Sequence, residues 1–244
     1  MSVTQIPNKM RTLFAGDTAN FCSFIERKDD FTWYIPDDTT SVRGYAFYYL
    51  ENPSLTSLPN GITSIGGCAF AYTNVSLTSL PDGITSIGGC AFEGCENLAL
   101  TSLPDGITLI EGSTFSRCSN LALTSLPSGL NAIGEHAFYN CTNLALTSLP
   151  EGITSIEPGT FRYCTKLSSM TLPSGITQIF RYAFANCTGL TEVTFNGTPI
   201  NGYLWSNVFY GCDNLTTINV PWSEGEISGA PWGATNATIN YNYK

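Results

Sequence analysis

Hydrophobic residues recur along this chain at a fixed interval that is much longer than the period of a helix or a strand. A phenylalanine returns after 22, 23 or 25 residues, and a proline stands 11 residues ahead of most copies. The phenylalanine column comprises Phe47, Phe70, Phe92, Phe115, Phe138, Phe161, Phe184 and Phe209. The proline column comprises Pro36, Pro59, Pro81, Pro104, Pro127, Pro150 and Pro173. Two columns in phase predict about nine stacked copies of one unit, because a single unit cannot bury its apolar side alone.

Each position of the unit has a structural task. The leucine before the proline ends a short strand, because proline lacks the amide that would continue a ladder. A glycine two residues after the proline suits a turn, and isoleucines such as Ile84 and Ile87 then point inward on the return side. The pattern predicts short parallel strands on one face of a solenoid, with turns or single helical turns on the other.

The repeat divides the 244-residue chain into three parts. Residues 31–221 are the predicted solenoid, with residues 31–35 as its first strand. Residues 1–30 and 222–244 are predicted as N-terminal and C-terminal caps, because a solenoid exposes its core at both ends. A helix is one option for the first cap. In the second, alternation over residues 237–241 predicts a further strand, and Trp222 and Trp232 are expected to cover the final turn.

The unit resembles the BspA-like class of bacterial leucine-rich repeats. That class runs Leu-x-x-Ile-x-Leu-Pro, a glycine turn, Ile-x-x-Ile and Ala-Phe-x-x-Cys, and residues 177–190 match its second half closely. The resemblance covers about residues 31–221. It implies an α/β-type or mainly β fold, a right-handed leucine-rich-repeat coil of about nine turns with short parallel strands on one face. It also implies a non-catalytic role in adhesion to host proteins or other cells.

The middle repeats depart from this pattern in the segment before the proline. The last strands place an apolar residue three positions before the proline, as Met170 does, whereas the middle repeats carry a threonine there and a leucine one position earlier. If the strand keeps the regular alternation, those leucines point outward beside a column of serines and form an exposed apolar stripe. The predicted binding residues are therefore Leu55, Leu77, Leu100, Leu123 and Leu146, with Ser79, Ser102, Ser125 and Ser148. The alternative is a local shift that turns leucine inward and threonine outward.

Cysteine, histidine and acidic residues, which often form catalytic or metal sites, follow the repeat and do not cluster at one position of the chain. Six of the nine cysteines share the position three residues after the phenylalanine, which predicts a column of free, buried thiols. Cys68 and Cys90 form a second pair in phase, and Cys22 stands alone. His136, the one histidine, occupies a variable turn position. Acidic residues after some prolines (Asp37, Asp82, Asp105, Glu151) allow a calcium ladder, but solvated turns explain them better. We therefore expect no enzyme activity, no catalytic residue, no cofactor and no metal site.

The overall charge and composition narrow the classes of partner. With 19 acidic and 10 basic residues the formal net charge is −9, so we expect no nucleic-acid partner. No stretch has the length of a membrane span, so membrane insertion is not expected. The first ten residues lack an apolar signal-peptide core, so either export uses another route or a leader has been removed.

Three functions are consistent with this sequence. The first is a binding or adhesion module whose strand face recognises an extracellular protein or a cell-surface partner, located at the cell surface or secreted as the resemblance implies. The second is a carbohydrate-binding or phage-fibre component that uses the aromatic C-terminal cap. The third is ice or mineral binding by a Thr-Ser ladder, which requires the threonine column at Thr78, Thr101, Thr124 and Thr147 to face outward.

Overall fold

The computed structural model describes residues 26–27, 33–35, 37–50, 55–197 and 205–244. Over these residues the chain winds into a parallel solenoid of about eight turns. The predicted fold class is confirmed. The described residues form no helix, so the connections on the return side are turns and not the single helical turns that the pattern allowed.

Two short strands precede the solenoid. β1 (Glu26–Arg27) pairs antiparallel with β2 (Trp33–Tyr34). The predicted first strand, residues 31–35, overlaps β2, which therefore pairs outside the parallel stack. The rest of the predicted N-terminal cap, residues 1–25 and 28–30, lies outside the described residues.

Strands of two residues run along the return side, and from Ser64 onward each begins three residues after the glycine of a Pro-x-Gly turn. They pair in parallel with inward isoleucines in register, as in Ile65↔Ile87, Ile110↔Ile133 and Ile156↔Ile179. The strands are β3 (Ser41–Val42), β4 (Ser64–Ile65), β5 (Ser86–Ile87), β6 (Leu109–Ile110), β7 (Ala132–Ile133), β8 (Ser155–Ile156) and β10 (Gln178–Ile179).

The front side, before the prolines, carries longer strands only at the C-terminal end. β9 (Ser169–Leu172), β11 (Glu192–Phe195), β12 (Thr217–Asn219) and β13 (Thr238–Asn240) form one parallel sheet in that order. β13 lies within residues 237–241, where alternation predicted a strand. The front strands predicted for the middle repeats are not formed: between residues 55 and 149 the front side has only an isolated bridge from Ser148 to Thr171.

The core is a continuous stack of phenylalanine rings. Ring centroids of the eight phenylalanines from Phe47 to Phe209 lie 4.8–5.8 Å apart, with interplanar angles of 4–23°. Every ring is buried. Inward isoleucines and leucines surround the stack, so each turn buries its apolar residues only against its neighbours, as the repeat predicted.

Candidate binding surface on the front of the middle repeats

The exposed leucine stripe predicted on the front side does not exist. Leu55 is 4% exposed and the four counterparts Leu77, Leu100, Leu123 and Leu146 are 0% exposed. All five side chains belong to the hydrophobic core. The alternative in which leucine turns inward and threonine outward is the observed one.

A change in the order of outward residues explains this arrangement. In the regular repeat, Leu167 is buried, two residues follow that are not, and Met170, three before the proline, is buried again. In the middle repeats Leu98 and Leu100 are both buried, and the two outward residues, Thr101 and Ser102, come afterwards. Both segments have six residues from the first leucine to the last, so neither contains an insertion. They differ in where the two-residue outward bulge lies, which in the middle repeats is closer to the proline.

The bulges of successive turns together form a surface that we name the hydroxyl face. It consists of five Thr-Ser pairs, and all ten side chains are exposed. The pairs are Thr56-Ser57, Thr78-Ser79, Thr101-Ser102, Thr124-Ser125 and Thr147-Ser148. The serines predicted as binding residues therefore do lie at the surface, next to threonines instead of leucines.

Hydrogen-bonding groups on the hydroxyl face are left for solvent or a ligand. Among the described residues, none of its ten hydroxyl groups bonds another protein group. The backbone joins neighbouring turns just before each pair, where Ala99 N donates to Leu77 O and Ala122 N donates to Leu100 O, both at 3.0 Å. Within residues 56–126 the backbone amides of the pairs donate no hydrogen bond to the protein. The face thus presents side-chain and main-chain donors and acceptors together.

The C-terminal sheet beside this face is polar too, but its polar groups are bonded to each other. Asn219 is 2% exposed and its amide donates to Glu192 Oε1 at 2.6 Å and to Thr194 Oγ1 at 3.1 Å. Asn240 donates in turn to Asn219 Oδ1 at 2.7 Å. Bonds made within the sheet leave fewer groups for a partner, so the hydroxyl face is the stronger candidate surface.

The six cysteines of the repeat position form the buried column that the sequence predicted. Each Sγ donates to the carbonyl oxygen of the phenylalanine one turn earlier, at 3.0–3.1 Å, and all six thiols are free. The column consists of Cys95, Cys118, Cys141, Cys164, Cys187 and Cys212. Burial raises the pKa of Cys95 to about 11 and the pKa of Cys118 and Cys141 well above the ordinary thiol value. These groups serve the core and offer no nucleophile.

His136 lies in a turn at φ 56°, half-buried, as a variable turn position implied. Its Nδ1 is 3.6 Å from Glu135 Oε1, and its ring meets Tyr139 edge-on at 5.6 Å. No group of three or more His, Cys, Asp or Glu side chains capable of holding a metal occurs in the described part of the chain. The acidic residues after the prolines therefore form no such cluster there.

The C-terminal tryptophans face inward. Trp232 is 0% exposed, Trp222 is buried, and both rings contact Phe195, at centroid distances of 6.3 and 5.1 Å. Trp232 also donates its indole N–H to Ser228 O at 2.9 Å. Because a sugar needs an open aromatic face to stack on, a carbohydrate site built from these two rings is excluded.

No periodic pattern in the sequence marks the aromatic patch near the first described turns. Tyr45, Tyr48 and Tyr49 are exposed, and Tyr49 stacks on Tyr72 with centroids 4.7 Å apart. The Tyr72 hydroxyl donates to Glu93 Oε1 at 2.7 Å. The available signal was the group of three tyrosines around Phe47, at positions where other repeats carry residues of many sizes, from Gly94 and Ala71 to Tyr139 and Tyr163.

Comparisons with known proteins agree with this architecture. The family profile described as BspA type Leucine rich repeat region matches in six copies over residues 31–145 and 110–231. A leucine rich cell surface protein from Faecalibacterium prausnitzii is 26% identical, with a TM-score of 0.55, and the match covers 85% of this chain and 62% of that protein. The leucine rich repeat protein of T. pallidum is 29% identical, with a TM-score of 0.52, covering 78% of this chain and 86% of that protein.

This chain therefore spans less than two thirds of the Faecalibacterium protein. A search of curated proteins gives no match. In the part of the chain that the structure describes, no helix has the length and apolar character needed to cross a membrane.

Proposed function

The chain belongs to the BspA-type leucine-rich repeat family, and from that premise we propose that it is a non-catalytic binding module of a bacterial cell surface, with the hydroxyl face as its contact surface. The partner is an extracellular protein or another cell-surface molecule. The observation that carries the proposal is the set of ten exposed hydroxyl groups without protein partners, arranged one pair per turn.

The chemistry of the face indicates the kind of contact. Threonine methyl groups supply small apolar contacts, while hydroxyl, amide and carbonyl groups supply directional hydrogen bonds. None of the ten side chains is charged, so binding there depends little on ionic strength. The hydroxyl face therefore suits a polar, uncharged strip of a partner that lies along the solenoid axis and meets several turns at once.

A pair of charge variants tests this surface. Thr101→Glu with Thr124→Glu places two carboxylates on the hydroxyl face, and the matched control, Thr85→Glu with Thr108→Glu, places them on exposed threonines of the return side. Binding of the fluorescent chain to cultured epithelial cells is measured before and after protease treatment of the cells. We expect the first variant to bind at least about tenfold more weakly, a loss of about 1.4 kcal/mol, and the control to bind as the unmodified chain does.

The cell treatments separate the partner classes. Binding that protease abolishes indicates a protein partner, and binding that only glycosidases abolish indicates a sugar. If both folded variants bind equally well, the contact surface is not the hydroxyl face.

Ice or mineral binding is the second candidate, because the structure meets one of its requirements. Thr78, Thr101, Thr124 and Thr147 face outward from successive turns. Thermal hysteresis of the purified chain tests this function, with the Thr101→Glu and Thr124→Glu variant as control. A hysteresis gap that this variant removes supports ice binding, and no gap at millimolar concentration rejects it.

A further inference from the structure

Two cysteines outside the buried column lie side by side on adjacent turns. Cys68 and Cys90 occupy the same position of their units, two residues before Phe70 and Phe92. The amide of Cys68 donates to the carbonyl of Gly89, the residue directly before Cys90, at 2.9 Å. Both residues have a positive φ, 54° and 57°. Their backbones therefore have the same conformation and the same orientation in successive turns.

Glycines bring the two turns close together at this corner. A Cβ on Gly88 would lie 2.5 Å from Gly67 N and 2.9 Å from Gly67 Cα, so only glycine permits the observed approach. The hydrogen bond from Cys68 N to Gly89 O joins the two turns directly. A spacing of about 4.8 Å, as between hydrogen-bonded strands, would place the two Cα atoms within the range of about 4.4–6.8 Å that disulfides require.

The environment of this pair differs from that of the buried column. Each core thiol is buried and donates to a phenylalanine carbonyl at 3.0–3.1 Å. The thiols of Cys68 and Cys90 are half-exposed, and Cys90 Sγ makes a long contact of 3.9 Å with Gly112 O. Burial, the Glu93 carboxylate and the neighbouring Cys68 thiol raise the pKa of Cys90 to about 11. An oxidant can reach these two thiols in the folded protein, and it cannot reach the core column without unfolding.

We propose that Cys68 and Cys90 form an oxidisable dithiol whose disulfide staples two neighbouring turns at the N-terminal end of the solenoid. The oxidant is a small-molecule disulfide such as oxidised glutathione. One thiolate attacks it, forming a mixed disulfide and releasing one glutathione thiol. The second thiolate displaces the remaining glutathione. Two protein thiols are thereby oxidised and one disulfide is reduced to two thiols.

Mass spectrometry of the full chain in a Cys22→Ser background tests the proposal. The protein is incubated with oxidised glutathione at about pH 8.5, where thiolate forms more readily, and is then alkylated and digested. We expect the wild-type pair to lose two hydrogens, to carry no glutathione and to yield a peptide that links Cys68 to Cys90. In Cys90→Ala, glutathione should remain attached to Cys68, because no second thiol displaces it.

A stability measurement shows whether the link forms in the native arrangement. The oxidised protein should unfold at higher urea concentration than the same protein after reduction, and Cys90→Ala should show no such difference. Circular dichroism confirms that this variant is folded. Stable glutathione on both cysteines, no modification of either, or a link from Cys68 to a different cysteine would each overturn the proposal.

Discussion

At the scale of single residues, the phenylalanine carbonyl explains why cysteine fills the buried column. Phe92 O accepts the Cys95 amide of its own turn at 3.0 Å and the Cys118 thiol of the next turn at 3.0 Å. Both acceptor positions of a buried carbonyl are therefore used. Cysteine is small enough for the space beside the rings and still supplies a donor. Thr73, at the same position of its unit, donates its hydroxyl to Phe70 O at 2.7 Å.

Ionisation of these thiols should weaken the fold at alkaline pH. Burial raises the pKa of Cys95 to about 11, and the pKa of Cys118 and Cys141 still lies well above that of an unfolded thiol. The folded state therefore keeps protons that the unfolded state loses. Stability is fully present below the unfolded thiol pKa of about 8.5 and falls as the pH rises from there toward the folded values.

Urea unfolding under reducing conditions at pH 8 and pH 10 measures this effect. Each fully buried thiol contributes at most about 1.4 kcal/mol per pH unit. The variant with Cys118→Ala and Cys141→Ala, less stable at both values, should lose less stability between them than the wild type. Equal losses would mean that other groups, such as tyrosines, cause the alkaline effect.

At the scale of the repeat element, two energies compete in the middle front segments. Burying a leucine side chain contributes about 1.5–3 kcal/mol, whereas a net backbone hydrogen bond contributes about 0.5–1.5 kcal/mol. Burying Leu100 therefore offsets the loss of one or two backbone hydrogen bonds at Thr101 and Ser102. The alternation of side chains along a strand predicts their direction only where a strand forms. It therefore says nothing about the balance between leucine burial and backbone pairing. For that reason the sequence predicted the unit correctly and left the direction of its leucine open.

A pair of alanine variants tests whether the leucine or the neighbouring threonine is buried in the core. Leu100→Ala should lower the free energy of unfolding by about 2–5 kcal/mol, because it empties a fully buried site. Thr101→Ala should change it by less than about 0.5 kcal/mol, as expected for an exposed side chain. Urea denaturation at neutral pH measures both. A larger loss for Thr101→Ala than for Leu100→Ala would contradict the observed arrangement.

The buried positions that repeat one residue type could be predicted from the sequence, whereas the exposed surfaces formed by the turns could not. Phe, Ile, Leu and Cys positions follow from periodicity, because burial in a stack demands the same residue in every turn. The tyrosine patch at Tyr45, Tyr48 and Tyr49 lies where the unit tolerates many residues, so no period marks it. The hydroxyl face was predictable in part: the serines were assigned outward, and the threonines were assigned outward only in the alternative.

At the scale of the whole molecule, backbones of neighbouring turns come very close at one corner in three steps of the stack. Gly66 Cβ would collide with Gly44 N, and Gly88 and Gly134 meet the preceding turn in the same way. Because each turn contacts only its neighbours, a change of spacing at one step tilts everything beyond it. The glycines at this corner therefore permit the close approach at three steps of the stack, those of Gly66, Gly88 and Gly134.

Two glycine-to-alanine variants distinguish a steric clash of the added Cβ from the general effect of replacing a glycine by alanine. Gly88→Ala should lower the free energy of unfolding by about 1–3 kcal/mol, since its Cβ has no room. Gly129 has nothing within 4 Å of an added Cβ, so Gly129→Ala should be neutral or raise stability by up to about 1 kcal/mol. Thermal unfolding of both variants provides the measurement. Equal destabilisation by the two would show that the close approach at Gly88 is not limiting.

The uniform backbone bonding of the middle repeats has a consequence for how such a protein can evolve. Every step is joined in the same way, as at Ala99–Leu77, Ala122–Leu100 and Ala145–Leu123. Duplication of one unit in the gene would therefore insert a complete turn without disturbing those on either side, and its deletion would remove one. Each such event lengthens or shortens the row of Thr-Ser pairs by a single step, so the reach of the protein along a partner can change by recombination alone.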